Sequence, residues 1–187
     1  MPKATGPVYQ VAFRRRLSGV TDYKKRLALV KAGIPRMVVR KSGRGVLVQF
    51  VEFAPEGDRT LASFASRLLS EKHGWPAKAN APTAYLAGFA CAKAAKGKGV
   101  TDFVLDVGMN AASKGAVIYA ALQGAIDAGL KTNYPQKMID DDSITGKKIA
   151  EYAKARNGSG KQFSAYGADV SKLPELFAQV KAKLQSS

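Results

Sequence analysis

Positive charge is concentrated at the start of this 187-residue chain, and that asymmetry limits what its first residues can fold into. Residues 1–50 hold twelve Lys and Arg but one acid, Asp22, so this segment has a net charge of +11. The rest of the chain has eighteen basic and thirteen acidic residues, a net charge of +5. Like charges at this density repel one another in a compact fold, so we expect a polyanion to neutralise them. A basic arm on a more balanced body is typical of a protein that threads one end into folded RNA.

The content and distribution of apolar residues argue against a membrane surface as the polyanionic partner. Apolar residues make up 46% of the sequence, which is enough for a buried core and excludes a wholly disordered chain. No segment approaches the roughly 18 uninterrupted apolar residues of a membrane-spanning helix, and no apolar signal-peptide core precedes Arg14. The one cysteine, Cys91, cannot form an internal disulfide and suits a reducing compartment. We therefore expect a cytoplasmic protein with no membrane partner, and nucleic acid is the favoured polyanion.

Residue patterns predict an α/β fold in which a mixed β-sheet is packed by helices. Two β-rich runs, 37–40 and 46–51, flank a short glycine-containing turn and predict a hairpin. The nearly apolar run 103–107 predicts a central strand that is covered on both faces. Helices are predicted on either side of that strand, one beginning near Pro82 and the other across the apolar positions of 117–126.

The same patterns divide the chain into three segments. Residues 1–20 are expected to form a basic N-terminal arm, with a short helical turn around its arginines, and residues 21–135 an α/β RNA-binding core domain. Residues 136–187 are expected to form a C-terminal extension that contains a loop, near 157–167, and helices. Its last helix is predicted from apolar residues at helical spacing, which are Leu173, Leu176, Phe177, Val180 and Leu184.

The arm carries the run Arg14-Arg15-Arg16. Guanidinium groups donate paired hydrogen bonds to phosphate oxygens, so consecutive arginines are typical of phosphate contact. The alternative is a solvated arm without a partner. Eleven net charges within fifty residues favour RNA.

A helix is predicted directly after the arm, with Thr21 as its N-cap and Asp22 in its first turn. Tyr23 at its start has two interpretations: it stacks on an unpaired RNA base, or it packs in the core at helical spacing from Leu27. The sequence favours neither. The next three residues add cations to this helix and are Lys24, Lys25 and Arg26.

Cations also alternate with apolar residues in the predicted hairpin. Arg36 and Arg40 have the same parity on a strand and point to one face, whereas Met37, Val39 and Lys41 point to the other. The first face is therefore predicted to be exposed, cationic and available to RNA. Lys41 and Arg44, nearer the turn, are further predicted RNA contacts. The alternative, a solvated face without a partner, more often mixes both signs of charge.

The best indication of an enzyme is the run Leu105-Asp106-Val107-Gly108-Met109-Asn110, with Lys114 beyond it. An aspartate that leaves a buried strand before a glycine turn is similar to the phosphate-binding loop of actin-like kinases and phosphatases. That chemistry closes a nucleotide between two lobes, and this chain is short for two lobes. We therefore favour a structural role, in which Asp106 hydrogen-bonds the backbone of the turn.

Other patterns that carry chemistry are incomplete. Gln162 follows Gly158-Ser159-Gly160-Lys161 where a phosphate loop requires Ser or Thr, and Asp140–Asp142 lack the spacing of a calcium loop. One histidine, His73, and one cysteine, Cys91, do not suffice for a zinc site, and nothing recommends them as a nucleophilic pair. We therefore expect no catalytic residue, no metal site, no cofactor and no small-molecule substrate.

Several motifs follow one another along about residues 6–155: Arg14-Arg15-Arg16 with Thr21-Asp22-Tyr23 and Arg26-Leu27, Pro35–Ser42, Gly57–Ser63, Tyr85-Leu86-Ala87-Gly88, Leu105–Gly108, Ala121–Leu130 and Gly146–Tyr152. In this order they resemble one known family: large-subunit ribosomal protein number eighteen in its archaeal form, related to eukaryotic protein number five.

This resemblance implies a structural constituent of the large ribosomal subunit that binds 5S rRNA in the central protuberance. It implies 23S rRNA and a neighbouring 5S-binding ribosomal protein as further partners. By position, it implies RNA contacts at Arg14–Arg16, Thr21–Arg26 and the hairpin residues Arg40–Arg44, including Ser42. Two alternative functions stay open at this point: a nucleotide-binding enzyme that uses the Asp106-x-Gly108 turn, and a nonspecific basic RNA-binding protein.

Overall fold

The computed structural model describes residues 6–133, 138–156, 163, 166 and 170–186. Its strands are β1 (Arg36–Lys41), β2 (Val46–Glu52), β3 (Arg59–Ala65), β4 (Asp102–Asp106) and β5 (Lys131–Thr132). Its helices are α1 (Arg14–Leu17), α2 (Tyr23–Lys31), α3 (Arg67–His73), α4 (Ala81–Lys96), α5 (Val117–Asp127), α6 (Asp141–Thr145), α7 (Lys147–Ala155) and α8 (Leu173–Ser186), with a 3₁₀ turn at Val170–Lys172. The predicted fold class, α/β with a mixed sheet packed by helices, is confirmed.

The five strands form one sheet in the order β3-β2-β1-β4-β5. Strand β2 runs antiparallel to both β3 and β1, whereas β4 lies parallel to both β1 and β5. The run 103–107 therefore does belong to an interior strand, which begins and ends one residue earlier than predicted. The carboxyl ends of β1 and β4 lie side by side, so the residues that follow both strands meet at one edge of the sheet.

The predicted hairpin is confirmed, with Val39 opposite Val48 in its register. Met37 and Val39 are fully buried, and they belong to the core on one face of the sheet. Helices α4 and α5 belong to the same core. As predicted, Pro82 lies in the first turn of α4, where its missing N–H costs no hydrogen bond.

Helices α4 and α5 approach each other so closely that glycine is required at their contact. A Cβ atom on Gly88 would lie 2.2 Å from the carbonyl oxygen of Ala121. A Cβ atom on Gly124 would lie 2.2 Å from the carbonyl oxygen of Tyr85 and 2.9 Å from the amide nitrogen of Phe89. Two backbones therefore touch directly in the centre of the core.

The C-terminal helix α8 packs onto this pair, which confirms the predicted last helix. Phe177 contacts the rings of Trp75 and Tyr85, with centroids 6.3 Å and 5.4 Å away. Tyr85 also donates a hydrogen bond to Asp127 of α5. The pKa of this phenol is raised, mainly by its burial and secondly by the neighbouring Asp127 carboxylate. The predicted C-terminal extension thus adds side chains to the same core cluster as the sheet: Leu173, Phe177, Val180 and Leu184.

Two predicted segments lie partly outside the described residues. They are the beginning of the basic arm, at 1–5, and most of the loop at 157–167. Within the described ranges, no helix combines the length and the apolar character that crossing a bilayer demands.

We expect Gly124→Ala to lower the free energy of unfolding by at least about 1 kcal/mol. The added methyl group would meet backbone atoms, so its cost lies at the upper end of about 1–3 kcal/mol for overpacking. That cost exceeds the roughly 1 kcal/mol by which alanine is preferred to glycine in a helix. Urea denaturation followed by circular dichroism measures the change.

Gly97→Ala is the matched control, because Gly97 ends α4 with a helical φ of −62° and its Cβ would come no closer than 3.6 Å to a neighbour. This variant should be as stable as the parent protein or slightly more stable. Equal stabilities of the two alanine variants would contradict the backbone contact between α4 and α5.

Candidate nucleic-acid interface

Arg36 of β1 is buried inside the protein, with 3% of its side chain exposed. Its Nη2 donates to Asp58 Oδ2 at 2.7 Å, and its Nη1 donates to Asp106 Oδ2 at 3.3 Å. Asp58 lies in the turn before β3, and Asp106 is the last residue of β4. An arginine at this depth is tolerated because carboxylates replace the water that its charge has lost.

The same two carboxylates bind two further arginines. Arg26 of α2 donates to Asp58 Oδ2 at 2.8 Å, and Arg40 donates to Asp106 Oδ1 at 3.4 Å. Arg40 also donates to the backbone oxygen of Asp106 at 3.1 Å. We call these five residues, Arg26, Arg36, Arg40, Asp58 and Asp106, the arginine–aspartate network. It joins α2, β1, the turn before β3 and the end of β4.

The network corrects one prediction. Arg36 does not lie on an exposed cationic face, because both of its terminal nitrogens are held by buried or half-buried carboxylates. Strand parity correctly separated Arg36 from Met37 and Val39, but it carries no information about carboxylates 22 and 70 residues away. Arg40 keeps 44% of its side chain exposed and is the member of the pair that solvent reaches.

The arginines of the arm stand in solvent. Arg14–Arg16 form most of the short helix α1, which has no buried residue, as the predicted helical turn required. Arg15 Nε donates to the hydroxyl of Thr21 at 2.9 Å. Thr21 therefore braces the arm and is not the N-cap of α2, which corrects that prediction.

The N-cap of α2 is Asp22. Its carboxylate accepts hydrogen bonds from the amides of Lys25 and Lys24, at 3.1 Å and 3.0 Å, and these bonds lower its pKa, that of Lys25 most. No residue of α2 is fully buried, although Leu29 and Val30 are half-buried, so apolar contact contributes little to the docking of this helix on the body. Tyr23 lies outside the core cluster and contacts the exposed ring of Phe13 at 5.5 Å, which does not bear out its interpretation as core.

The hairpin tip presents Lys41, Ser42 and Arg44, which are all exposed. Ser42 closes this turn with its own hydroxyl, which accepts from the amide of Gly45 at 3.1 Å. The backbone of the same two residues is bonded at 2.9 Å, from the Ser42 amide to the Gly45 carbonyl. Two cations are thus held on a turn whose conformation is set by local hydrogen bonds.

A cleft of about 480 Å³ lies between α2 and the loop that follows β4. It contains five of the residues that the sequence predicted as RNA contacts, and it leaves Arg14, Arg16, Lys24 and the hairpin tip outside. The five are Arg15, Thr21, Lys25, Arg26 and Arg40. Met109 and Asn110 form the opposite wall; the sequence placed them in the candidate enzyme run and not among the RNA contacts, because nothing in it shows that the loop after β4 faces α2.

Comparison with known proteins identifies the family. The family described as "Ribosomal large subunit proteins 60S L5, and 50S L18" matches residues 8–103. Large ribosomal subunit protein uL18 of Korarchaeum cryptofilum (strain OPF8) is 44% identical over 186 residues, 95% of either chain. The protein of the same name from Methanobrevibacter smithii is 40% identical over 190 residues, 98% of either chain.

This chain belongs to the uL18 family. The family membership inferred from the sequence motifs is therefore confirmed. The range matched by the family description contains every predicted RNA contact, from Arg14 to Arg44, and ends before Asp106. The two uL18 relatives extend the similarity through the helices that follow β4.

The Asp106-x-Gly108 turn has a structural role in this uL18-family chain, as the sequence analysis favoured. The Asp106 carboxylate accepts from the Gly108 amide at 2.8 Å while it binds two arginines of the network. Gly108 has a φ of +59°, and a Cβ there would lie 2.9 Å from the guanidinium of Arg40. The turn is thus built to receive Arg40, and the carboxylate that a nucleotide-binding enzyme would use is already occupied.

Another candidate for chemistry, Cys91, lies in the core. Burial raises the pKa of the Cys91 thiol to about 12, and its Sγ–H donates to the carbonyl of Val48 at 3.3 Å. Within the described ranges, no three His, Cys, Asp or Glu side chains come together in a cluster that could hold a metal ion.

Removing one carboxylate from the network should destabilise the protein. Breaking a buried ion pair costs about 3–5 kcal/mol, but Asp106 still faces Arg36, so we expect Asp58→Asn to lower the free energy of unfolding by about 2 kcal/mol. Because Arg26 loses its partner as well, the amides of α2 should exchange hydrogen faster. Chemical denaturation and hydrogen-exchange mass spectrometry measure the two effects.

Glu71→Gln provides the matched control, since it breaks the exposed Arg67–Glu71 pair, whose side chains are 85% and 48% exposed. A pair of this kind contributes less than about 1 kcal/mol. If Asp58→Asn were no more destabilising than Glu71→Gln, the network would not hold the fold together.

Proposed function

We propose that this chain is a structural constituent of the large ribosomal subunit, and not an enzyme. In this proposal it binds 5S rRNA and helps attach it to 23S rRNA in the central protuberance, beside another 5S-binding ribosomal protein. The two relatives described above are named as large ribosomal subunit proteins, and their similarity covers nearly the whole chain. That supports a cytoplasmic location within the ribosome.

The observation that carries the proposal is which cations have carboxylate partners. Within the described part of the chain, the cations that lack a carboxylate within 4.0 Å include Arg14, Arg15, Arg16, Lys24, Lys41 and Arg44. Some cations later in the chain do have one, as Lys148 does with Asp140 and Lys181 with Asp127, and thirteen of the chain's fourteen acids lie after residue 50. The net positive charge is therefore concentrated before residue 45.

Phosphate is the ligand that suits these cations. The arm arginines are exposed on α1, and the tip cations are fixed on a short turn, so both groups can approach an RNA backbone without unfolding. Arginine donates to two phosphate oxygens at once, which adds geometry to the attraction. Neutralised phosphates release their counterions, and this release supplies most of the salt-dependent affinity.

We expect the protein to prefer 5S rRNA over other folded RNA. In a gel-shift competition, excess tRNA should leave the complex with labelled 5S rRNA in place. If some six to eight phosphates are contacted, raising the salt from 50 to 200 mM should weaken binding by about three to four orders of magnitude. Equal competition by tRNA and unlabelled 5S rRNA would instead identify a nonspecific basic RNA-binding protein.

Neutralising the arm should weaken binding without unfolding the protein. In the triple variant Arg14→Gln, Arg15→Gln, Arg16→Gln, we expect the plot of log K against log salt to become less steep. The change in slope should correspond to the loss of about two to three phosphate contacts. The melting temperature should not change, since α1 has no buried residue.

The control removes three exposed cations elsewhere, by Arg67→Gln, Lys72→Gln and Lys183→Gln. It has the same net charge as the arm variant, so it separates the position of the charge from its amount. Identical salt slopes for the two triple variants would show that the arm has no special contact with RNA.

A further inference from the structure

We propose that the cleft between α2 and the loop after β4 binds one unpaired base of the RNA, with the adjoining phosphates on Arg15 and Lys25. This inference rests on the proposed function and adds to it a site for a single nucleotide. Proteins that read RNA sequence take up bases that are splayed out of loops, because the edges of paired bases in an A-form helix are hard to reach.

The size and the lining of the cleft suit a base. Its volume of about 480 Å³ falls in the range of about 300–1,000 Å³ that is typical of pockets for small organic groups. Aliphatic side chains line both walls: Leu29 on the α2 side, and Leu105, Val107 and Met109 on the other. Met109 is 58% exposed, so a flat ring inserted beside it would bury apolar surface that now meets water.

The cleft stays open because an ion pair, more than apolar packing, holds α2. The nine residues of the helix include none that is fully buried, whereas Arg26 binds Asp58 at 2.8 Å. A helix seated on a fully apolar face would have closed this gap with its own side chains. The apolar walls are left partly exposed: Leu29, Leu105 and Val107 are half-buried, and Met109 is exposed.

The charges at the cleft favour a nucleotide over an apolar side chain of a protein partner. The network contains three arginines and two carboxylates, so it keeps a net charge of +1 at the cleft. Two cations outside the network also line the cleft: Arg15 bonds with its Nε to the Thr21 hydroxyl, and Lys25 is 64% exposed and pairs with Asp22 at 3.7 Å. Two cations beside an apolar cleft match a base flanked by phosphates. A leucine or phenylalanine from another protein would fill the same space and leave both charges unused.

Asn110 adds a polar group for the edge of the base. Its Nδ2 donates to the carbonyl of Val107 at 2.9 Å, and its backbone amide donates to the same oxygen at 3.2 Å. These bonds fix the side-chain amide at the cleft, where its oxygen is an acceptor for an exocyclic amino group. A base with such a group, adenine, cytosine or guanine, is therefore a better ligand than uracil.

The test is a substitution in α2 whose larger side chain fills the cleft. Ala28 lines the cleft and is exposed, so Ala28→Trp places a ring in the proposed base site without disturbing the core. Leu27→Trp is the matched control: Leu27 is the preceding residue, is 55% exposed and does not line the cleft. Affinity for a 5S rRNA transcript is measured by filter binding over a range of salt, and folding is checked by thermal melting.

We expect Ala28→Trp to weaken binding by about 10- to 100-fold, the effect of losing one stacked base, with an unchanged salt slope because no phosphate contact is removed. Leu27→Trp should bind like the parent protein. Should Ala28→Trp fail to fold, Ala28→Leu carries the test, with a smaller loss expected in the same direction.

Base-specific chemical probing of the transcript then locates the nucleotide. An unpaired base should be shielded by the parent protein and by Leu27→Trp but reactive in the complex with Ala28→Trp. The inference is overturned if the parent protein prefers 5S rRNA over tRNA while Ala28→Trp has the same affinity and the same base reactivities. Loss of that preference in the parent protein itself would instead overturn the proposed function.

Discussion

A guanidinium buried in the sheet is the constraint on which the rest of the structure depends. Arg36 cannot remain charged at 3% exposure unless carboxylates face it, and Asp58 and Asp106 reach it from separate parts of the chain. Each carboxylate then holds a second arginine, so a single requirement positions α2, the end of β1 and the turn after β4. Because α2 is positioned mainly by charge and has no fully buried residue, the protein keeps an open cleft beside it.

The network also decides which cations remain for a partner. Arg26 and Arg36 form ion pairs with Asp58 and Asp106. Arg40 is held at the Gly108 turn by Asp106, and part of its side chain stays exposed. The arm and the hairpin tip have no comparable acids near them in the described structure, and this is where the net charge of the first 50 residues is left uncompensated. The net charge of this segment predicts a polyanionic partner. The exposed cations without carboxylate partners, on the arm and at the hairpin tip, predict where that partner binds.

Features that depend on neighbouring residues could be predicted from the sequence, and features that depend on distant partners could not. The hairpin, the start of α4 at Pro82 and the helix α8 follow from turn residues and apolar spacing, and all three are confirmed. Placing the N-cap at Thr21 instead of Asp22 was an error of one residue, since both types cap helices and the geometry of the turn decides between them. Arg36 was assigned to an exposed face because strand parity reports a direction and not what covers it.

The sequence by itself determined the family, the basic N-terminal region, the hairpin, the interior strand and the helices before and after it, because motifs, net charge and periodicity are properties of residues close together in the chain. Only the tertiary structure decided that Arg36 is internal, that Thr21 braces Arg15 and that α2 faces the loop after β4 across a cleft. The physical reason is that the energy of a charge depends on what surrounds it. Burial and carboxylates 22 and 70 residues away are set by the packed fold, and they turn similar arginines into either internal braces or contacts for a partner.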